Sequence, residues 1–141
     1  MASLLGPDDP QPFSVFHGDA TAPLLLLCDH ASRVVPRSLD QLGLSDEELA
    51  RHIGWDIGAA AVALLLADAF RARLVTSGYS RLVIDCNRKP GYPSSIPPIS
   101  DGTVVPGNRE LSDADRAARA EACFWPYHRT IDNQLQALME G

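Results

Sequence analysis

Residues 80–90 read Ser80-Arg81-Leu82-Val83-Ile84-Asp85-Cys86-Asn87-Arg88-Lys89-Pro90, and this stretch joins an apolar run to a cluster of polar side chains. Residues 82–84 are typical of a strand buried on both faces. Arg81 precedes that run, and Asp85, Asn87 and Arg88 follow it. Because ligand sites of open α/β sheets lie where strands end, we expect these side chains to form a binding site. Two guanidinium groups and an amide suit a substrate carboxylate.

A structural role explains the same residues equally well. In that interpretation Asp85 pairs with Arg88, and Asn87 caps a turn, because Asn and Asp favour turns. The spacing of the residues does not choose between a carboxylate-binding site and an ion pair beside a turn. Both alternatives therefore stay open.

The composition is that of an ordinary globular domain. The chain has 141 residues, 45% of them hydrophobic and 21% charged, which suits one domain with a core. A formal net charge of -6 and the lack of a basic run argue against nucleic acid as a partner. The longest apolar runs, residues 24–28 and 59–66, are too short to span a bilayer, so no membrane partner is expected.

The cysteines and the N-terminal residues indicate the cellular compartment. Cys28, Cys86 and Cys123 are odd in number and form no paired motif, which favours reduced thiols over disulfides. Residues 1–11 lack the charged region of a signal peptide. Residues 1–12, which contain Gly, Pro and Asp, are predicted to be a mobile leader. Together these features predict a cytoplasmic protein.

Apolar runs of strand length alternate with helical patterns along the chain. Residues 13–16 predict a short edge strand, residues 24–28 a central strand and residues 73–77 a further strand. Residues 57–70 are rich in Ala and Leu and apolar nearly all round, which predicts a buried helix. The predicted class is α/β, with a mixed β-sheet and helices packed on it in one domain over residues 1–141.

Local signals also predict helix ends and a long loop. Ser45 precedes an acidic first turn that includes a capping-box glutamate, and Ser112 caps a second helix. Pro126 is expected to kink or restart that second helix. Residues 89–109 hold five prolines and three glycines, and such a long loop in a compact domain is usually functional or disordered.

His30 is the best candidate for a metal ligand, because it follows the predicted strand at residues 24–28 and can point into a cleft. Asp56 is a second candidate. Asp29 could orient His30, since metal-bound imidazoles usually donate their other N–H to an oxygen. The alternatives are a structural, hydrogen-bonded His30 and an Asp56 that caps the buried helix.

Five short motifs occur in order along almost the whole chain. They are Cys28-Asp29-His30-Ala31-Ser32, His52-Ile53-Gly54-Trp55-Asp56-Ile57-Gly58, Tyr79-Ser80-Arg81 with Asp85-Cys86-Asn87-Arg88, Ser100-Asp101-Gly102-Thr103, and Pro126-Tyr127-His128. Together they resemble the N-formylglutamate amidohydrolase family, which is similar in fold to zinc carboxypeptidases and aspartoacylases. In those enzymes an Arg and a later Asn-Arg pair hold a substrate carboxylate. The resemblance therefore implies that Arg81, Asn87 and Arg88 bind substrate.

The resemblance implies a metal-dependent hydrolase that cleaves the amide bond of an N-acyl amino acid such as N-formylglutamate. A divalent metal, expected to be zinc, would polarise the acyl carbonyl and lower the pKa of a bound water. His30 and Asp56 are its implied ligands. Related carboxypeptidases place their acidic ligand three residues after the histidine, where this chain has Arg33. The implied partner is a small acyl-amino acid, and homo-oligomerisation is left open.

The chain departs from the family that it resembles in length. Family members continue beyond the position of Gly141 with a strand that supplies a metal-binding His and a catalytic Glu. The sequence thus resembles the N-terminal part of the family, and no catalytic residue is assigned. Two other functions stay open: a non-catalytic module that keeps the carboxylate site, and an α/β remnant whose sheet edge is completed by a partner chain.

Overall fold

Three strands form a mixed sheet. In the computed structural model, which describes residues 3–140, the strands are β1 Phe13–Phe16, β2 Leu25–Cys28 and β3 Arg73–Ser77. β3 is central, with β1 antiparallel on one side and β2 parallel on the other. The predicted α/β class with a mixed sheet is confirmed. The predicted central position of residues 24–28 is wrong, because β2 has a strand neighbour on one side only among the described residues.

Four α-helices and a two-stranded hairpin complete the described part of the chain. The helices are α1 Asp46–Ala50, α2 Ala59–Phe70, α3 Asp113–Arg119 and α4 Trp125–Glu140, and the hairpin pairs β4 Ile99–Ser100 with β5 Thr103–Val104. A π-helical segment, Ala120–Phe124, joins α3 to α4, and short 3-10 segments occur at Arg37–Gly43, Pro93–Ser95 and Pro106–Asn108. Over residues 3–140, no helix is long and apolar enough to cross a membrane.

The predicted helix ends are confirmed. Ser45 caps α1 and Ser112 caps α3, and both have reciprocal capping boxes with the acidic residue three positions later. Helix α4 begins at Trp125, directly before Pro126 and after the π-helical segment. This restart is expected because Pro126 has no backbone N–H to donate to the preceding turn.

Residues 82–84 form a buried turn, and the prediction of a strand there is wrong. Two of their carbonyl groups bond to side chains instead of to a neighbouring strand. The carbonyl of Leu82 accepts from Asn108 Nδ2 at 2.8 Å, and the carbonyl of Val83 accepts from Arg119 Nη1 at 3.0 Å. The apolar run correctly indicated burial, but periodicity in so short a run does not distinguish a strand from other buried backbone.

The largest hydrophobic core lies around this turn. Leu82 and Val83 pack there with Leu42 from a 3-10 segment and with Ile96 and Val105 from the long loop. That proline-rich loop is therefore partly structural, because it fills a core that the small sheet does not cover.

Helix α2 is largely exposed, and the prediction that it is buried is wrong for the described structure. Seven of its twelve residues are exposed, and only Ala67 is buried. The helix packs against the sheet through Ala59, Ala63 and Leu64. A helix on one face of a sheet buries only the stripe that faces the sheet, whatever its composition.

Residues 3–12 lie against the domain. Leu4 packs on the largest core, and Tyr79 Oη donates a hydrogen bond to the carbonyl of Pro10. The mobility of residues 1–12 stays a prediction, and the first two residues lie outside the described part. The assignment of residues 1–141 to a single domain also stays a prediction.

Candidate active site

His30 lies just after β2, and its imidazole ring sits between two carboxylates. Nδ1 is 3.2 Å from Oδ2 of Asp56, and Nε2 is 2.7 Å from Oδ1 of Asp85. The hydrogen bond to Asp85 raises the pKa of the buried His30, against the opposing effect of burial. The two predicted metal ligands, His30 and Asp56, are therefore neighbours at the end of a strand.

Asp85 is the buried carboxylate on which the other side chains are arranged. Its Oδ1 accepts from His30 and from the backbone N–H of Asn87 at 2.8 Å, and its Oδ2 accepts from Arg81 Nη2 at 3.2 Å. Burial acts to raise the pKa of Asp85, but the hydrogen bonds from His30 and Asn87, with the charge of Arg81, lower it. The site thus contains a buried, ionised carboxylate with three donors around it.

The alternative interpretation, in which Asp85 pairs with Arg88, is wrong. Asp85 pairs with Arg81, four residues earlier, because the chain turns between them. In a strand, residues four apart would be separated by about 13 Å at 3.3 Å per residue. The guanidinium of Arg88 donates to the carbonyl of Asn87 at 3.0 Å and has no carboxylate within 4.0 Å among residues 3–140.

Asp29 does not orient His30, contrary to the prediction. Its Oδ1 accepts from Tyr127 Oη of α4 at 2.6 Å, and its carbonyl accepts from Ser77 Oγ at 2.6 Å. Burial raises the pKa of Tyr127, so its hydroxyl remains a donor. The orienting carboxylate is Asp85, which follows the buried turn and was not recognised from sequence as a partner of His30.

Asp56 is positioned by its own backbone. Its N–H donates to the carbonyl of His30 at 3.0 Å, which places the two side chains together. Asp56 is not the N-cap of α2, since Gly58 holds that position with a left-handed φ of 81° and no side-chain cap bond. Gly54 allows the close approach of this segment, because a Cβ there would lie 2.1 Å from the carbonyl oxygen of Leu49.

An open cavity of about 690 Å³ brings all the predicted site residues together. Its polar wall includes His30, Asp56, Arg81, Asn87 and Arg88. His30 and Asn87 therefore line the same cavity. The chemical role of each residue stays a prediction.

The three side chains predicted to bind the substrate carboxylate differ in whether they already contact other groups of the protein. Arg81 already contacts Asp56 at 3.4 Å and Asp85 at 3.2 Å, so its charge is shared with carboxylates. Asn87 and Arg88 are exposed in the cavity wall. The exposed Arg88 and Asn87 are therefore the donors most accessible to an incoming carboxylate.

The pair of His30 and Asp56 fits part of a zinc site. A tetrahedral ion with ligand distances of about 2.1 Å separates neighbouring ligand atoms by about 3.4 Å, close to the 3.2 Å between His30 Nδ1 and Asp56 Oδ2. Asp85 faces the opposite ring nitrogen, where it can only orient the ring. Within residues 3–140, no group of three or more His, Cys, Asp or Glu side chains could hold a metal ion.

The other histidines and the cysteines lie outside this arrangement. His17 bonds to Asp68, His52 pairs with Asp101, and His128 Nε2 is 2.8 Å from the carbonyl oxygen of Cys86. All three cysteines are buried free thiols. Burial raises the pKa of Cys86 and of Cys123, which makes both thiols poor nucleophiles.

The fold and the cavity define an α/β protein with a polar cleft at the end of a parallel strand. The family model described as N-formylglutamate amidohydrolase matches residues 22–141, so the chain belongs to the N-formylglutamate amidohydrolase family. It is similar to the crystal structure of gene product Atu2144 from Agrobacterium tumefaciens, with a TM-score of 0.94 and 38% sequence identity. That match covers 97% of this chain and 54% of that chain, so this chain spans about half its length. No curated protein matches the sequence.

Proposed function

We propose that this chain forms the substrate-binding part of a metal-dependent amidohydrolase that cleaves an N-acyl amino acid such as N-formylglutamate. The observation that carries the proposal is the convergence of two metal-ligand candidates and three donor side chains on one cavity. Membership of the family supports the reaction class. A zinc-carboxypeptidase-like fold, a small-molecule substrate and a cytoplasmic location belong to the same proposal.

The substrate carboxylate binds to Arg88 and Asn87. Asp29, Asp56 and Asp85 bring negative charge to the site, so an anionic substrate needs compensating donors. Arg88 offers a planar fork for a carboxylate, and Asn87 can add a side-chain N–H. This binding fixes the orientation of the substrate, with its amide towards His30.

His30 Nδ1 and Asp56 Oδ2 would hold the metal. A divalent ion such as zinc would supply polarisation of the acyl carbonyl and a lower pKa for a water molecule at the site. Asp85 accepts a hydrogen bond from the Nε2–H of His30 and so keeps the ring in one orientation, with the proton on Nε2 and Nδ1 left to act as a ligand. Arg81 balances the negative charge of Asp56 and Asp85.

A binding module without catalysis is the second candidate function. It is favoured by one observation, the lack of a third metal ligand in the described part of the chain. Both candidate functions include the carboxylate site, but only the amidohydrolase requires a bound metal. Metal binding by His30 and Asp56 therefore distinguishes between them.

Calorimetric titration of N-formylglutamate into wild type and Arg88→Lys tests the carboxylate site. A Lys cannot reproduce the fork of Arg, so the variant should bind roughly 10- to 100-fold more weakly, which corresponds to the loss of one charge-assisted hydrogen bond. The melting temperature should not change, because Arg88 is exposed and forms no ion pair with a described residue. Arg109→Lys, an exposed change outside the cavity, is the matched control. Equal affinity in the two variants, or no binding to wild type, would reject the carboxylate site.

Zinc titration of wild type, His30→Ala and Asp56→Ala tests the metal site. Weak binding is expected for wild type, because two protein ligands leave the remaining positions to water, and each substitution should weaken it further. His52→Ala is the control, since His52 is exposed and outside the cavity. Zinc binding that survives both site substitutions would mean that other residues are the ligands.

A further inference from the structure

A second cavity, of about 500 Å³, shares Asn87 and Arg88 with the candidate active-site cavity. The rest of its wall is not used by the proposed function. That wall combines aromatic rings with charged side chains, which are Phe124, Trp125, His128, Lys89 and Asp132. We call this space the aromatic cavity.

Three neighbouring rings form one side of the aromatic cavity. The ring of Phe124 lies 4.8 Å from that of Trp125, edge to face, and 4.3 Å from that of His128. The imidazole of His128 is held in place, because its Nε2–H donates to the carbonyl of Cys86 at 2.8 Å. Trp125 is 41% exposed although it is a large apolar side chain. An exposed indole beside fixed rings offers a surface on which another aromatic ring can stack.

The backbone that carries these rings is irregular. Phe124 ends the π-helical segment Ala120–Phe124, and α4 begins at Trp125. Single-turn π-helical segments are rare and occur frequently at functional sites. The rings of Phe124, Trp125 and His128 therefore lie at a position in the helix where a binding site is common.

Two cations line the same cavity. Arg88 and Lys89 are exposed, and neither forms an ion pair within residues 3–140. The ammonium of Lys89 lies 5.9 Å from the ring centre of Tyr92, which favours a position beside the cavity. Asp132 also lines the cavity, but two positive charges outweigh its one negative charge. A ligand with an aromatic ring and one negative charge complements this wall.

We propose that the aromatic cavity binds a small aromatic carboxylate. The ring of the ligand lies against Trp125 and His128, and its carboxylate accepts hydrogen bonds from Lys89 and Arg88. Because Arg88 also lines the candidate active-site cavity, this ligand competes with a substrate carboxylate for the same guanidinium. Only the competition rests on the proposed function, since Trp125, His128 and Lys89 do not line the candidate active-site cavity.

Nuclear magnetic resonance of the ¹⁵N-labelled chain tests binding, with 3-phenylpropionate as the probe. The chain has two tryptophans, so the indole N–H of Trp125 reports on the cavity and that of Trp55 is an internal control. The Trp125 signal should move in a saturable way, and the Trp55 signal should not. The dissociation constant should be on the order of 1 mM, as expected for a ligand of about ten non-hydrogen atoms. No movement of the Trp125 signal overturns the proposal.

Two analogues of the probe separate the contribution of the ring from that of the charge. 3-Cyclohexylpropionate has the same charge but no aromatic face, and 3-phenylpropanamide has the ring but no charge. Both should bind more weakly than 3-phenylpropionate. Equal binding of the cyclohexyl compound would assign the cavity to apolar ligands in general, and equal binding of the amide would exclude a role for the cations. Either result overturns the proposal.

Two substitutions locate the bound probe, with the backbone amide signals of residues 87–89 as the reporter. Trp125→Ala should weaken binding roughly fivefold through the loss of stacking. Lys89→Met, which keeps a long side chain without the charge, should weaken it roughly two- to fivefold. Leu135→Ala and Arg129→Met are the matched controls, because both residues are exposed on α4 and lie outside the cavity. Unchanged affinity in both site variants would mean that the probe binds elsewhere.

Calorimetric titration of N-formylglutamate, with and without saturating 3-phenylpropionate, tests the competition for Arg88. The apparent affinity for N-formylglutamate should fall severalfold in wild type when the probe is present. At the same probe concentration, the fall should be smaller in Trp125→Ala. An unchanged affinity in wild type, or an equal fall in Trp125→Ala, overturns the shared use of Arg88. No binding of N-formylglutamate to wild type would instead reject the carboxylate site of the proposed function, and binding of the probe to the aromatic cavity is then decided by the magnetic resonance titration.

Discussion

Replacing Asp85 by Asn tests whether this carboxylate holds the candidate site together. Asn has nearly the same shape but no charge, and its side-chain oxygen can accept from only part of the donor set formed by His30, Arg81 and the backbone N–H of Asn87. Roughly two charge-assisted hydrogen bonds are lost, at about 1.5 kcal/mol each. The expected loss in the free energy of unfolding is therefore about 3 kcal/mol, within the range for breaking a buried ion pair.

Urea and thermal unfolding of the metal-free protein measure this loss. At about 3 to 4 °C per kcal/mol for a chain of this size, the melting temperature should fall by roughly 10 °C. Asp101→Asn is the matched control, because Asp101 is exposed and its partners are surface side chains. The control should change the free energy of unfolding by less than about 0.5 kcal/mol.

The pH dependence of the free energy of unfolding is a second test of the same substitution. The pKa of Asp85 is lowered in the folded protein, so its stabilisation is present above the ordinary value of 3.8 and is lost as the pH falls through the folded pKa. The difference between wild type and Asp85→Asn should therefore shrink in acid. Equal stability of the two proteins at pH 6 would refute the inference that Asp85 organises the site.

Three further outcomes follow from single contacts. Arg119→Lys should cost roughly 2 to 4 kcal/mol, measured by urea unfolding with Arg116→Lys as control, because a buried guanidinium with three oxygen acceptors cannot be replaced by a compact ammonium. Gly54→Ala should lower the melting temperature by several degrees relative to Gly6→Ala, where a Cβ has space, and equal melting would contradict the contact with Leu49. In metal-free protein, the raised pKa of His30 means that its stabilisation is complete below pH 6.5 and is lost as the pH rises through the folded pKa; urea midpoints of His30→Gln should lack that loss.

Local sequence signals predicted local structure well. The strands at residues 13–16 and 73–77, and the caps at Ser45 and Ser112, were recognisable because their determinants lie within a few residues of each other. The partners of Asp85 were not recognisable in the same way. His30 is 55 residues away, and Arg81 comes close only because residues 82–84 turn instead of extending.

Helix α2 shows that amino-acid composition can predict a helix without predicting how much of it is buried. Its Ala- and Leu-rich sequence correctly predicted a helix with apolar sides, but the described structure covers only the side that faces the sheet. An apolar composition indicates that burial of a helix surface is favourable. It does not identify which part of the structure covers that surface.

The sequence by itself determined the α/β class, the family resemblance and the five candidate site residues, because these depend on residue type, order and short-range pattern. Only the tertiary structure decided that His30 lies between Asp56 and Asp85, that Arg88 is exposed in the cavity wall, and that one face of α2 is uncovered. Those facts depend on contacts between segments far apart in the chain. Such contacts are set by the packing of the whole domain, and no local pattern specifies them.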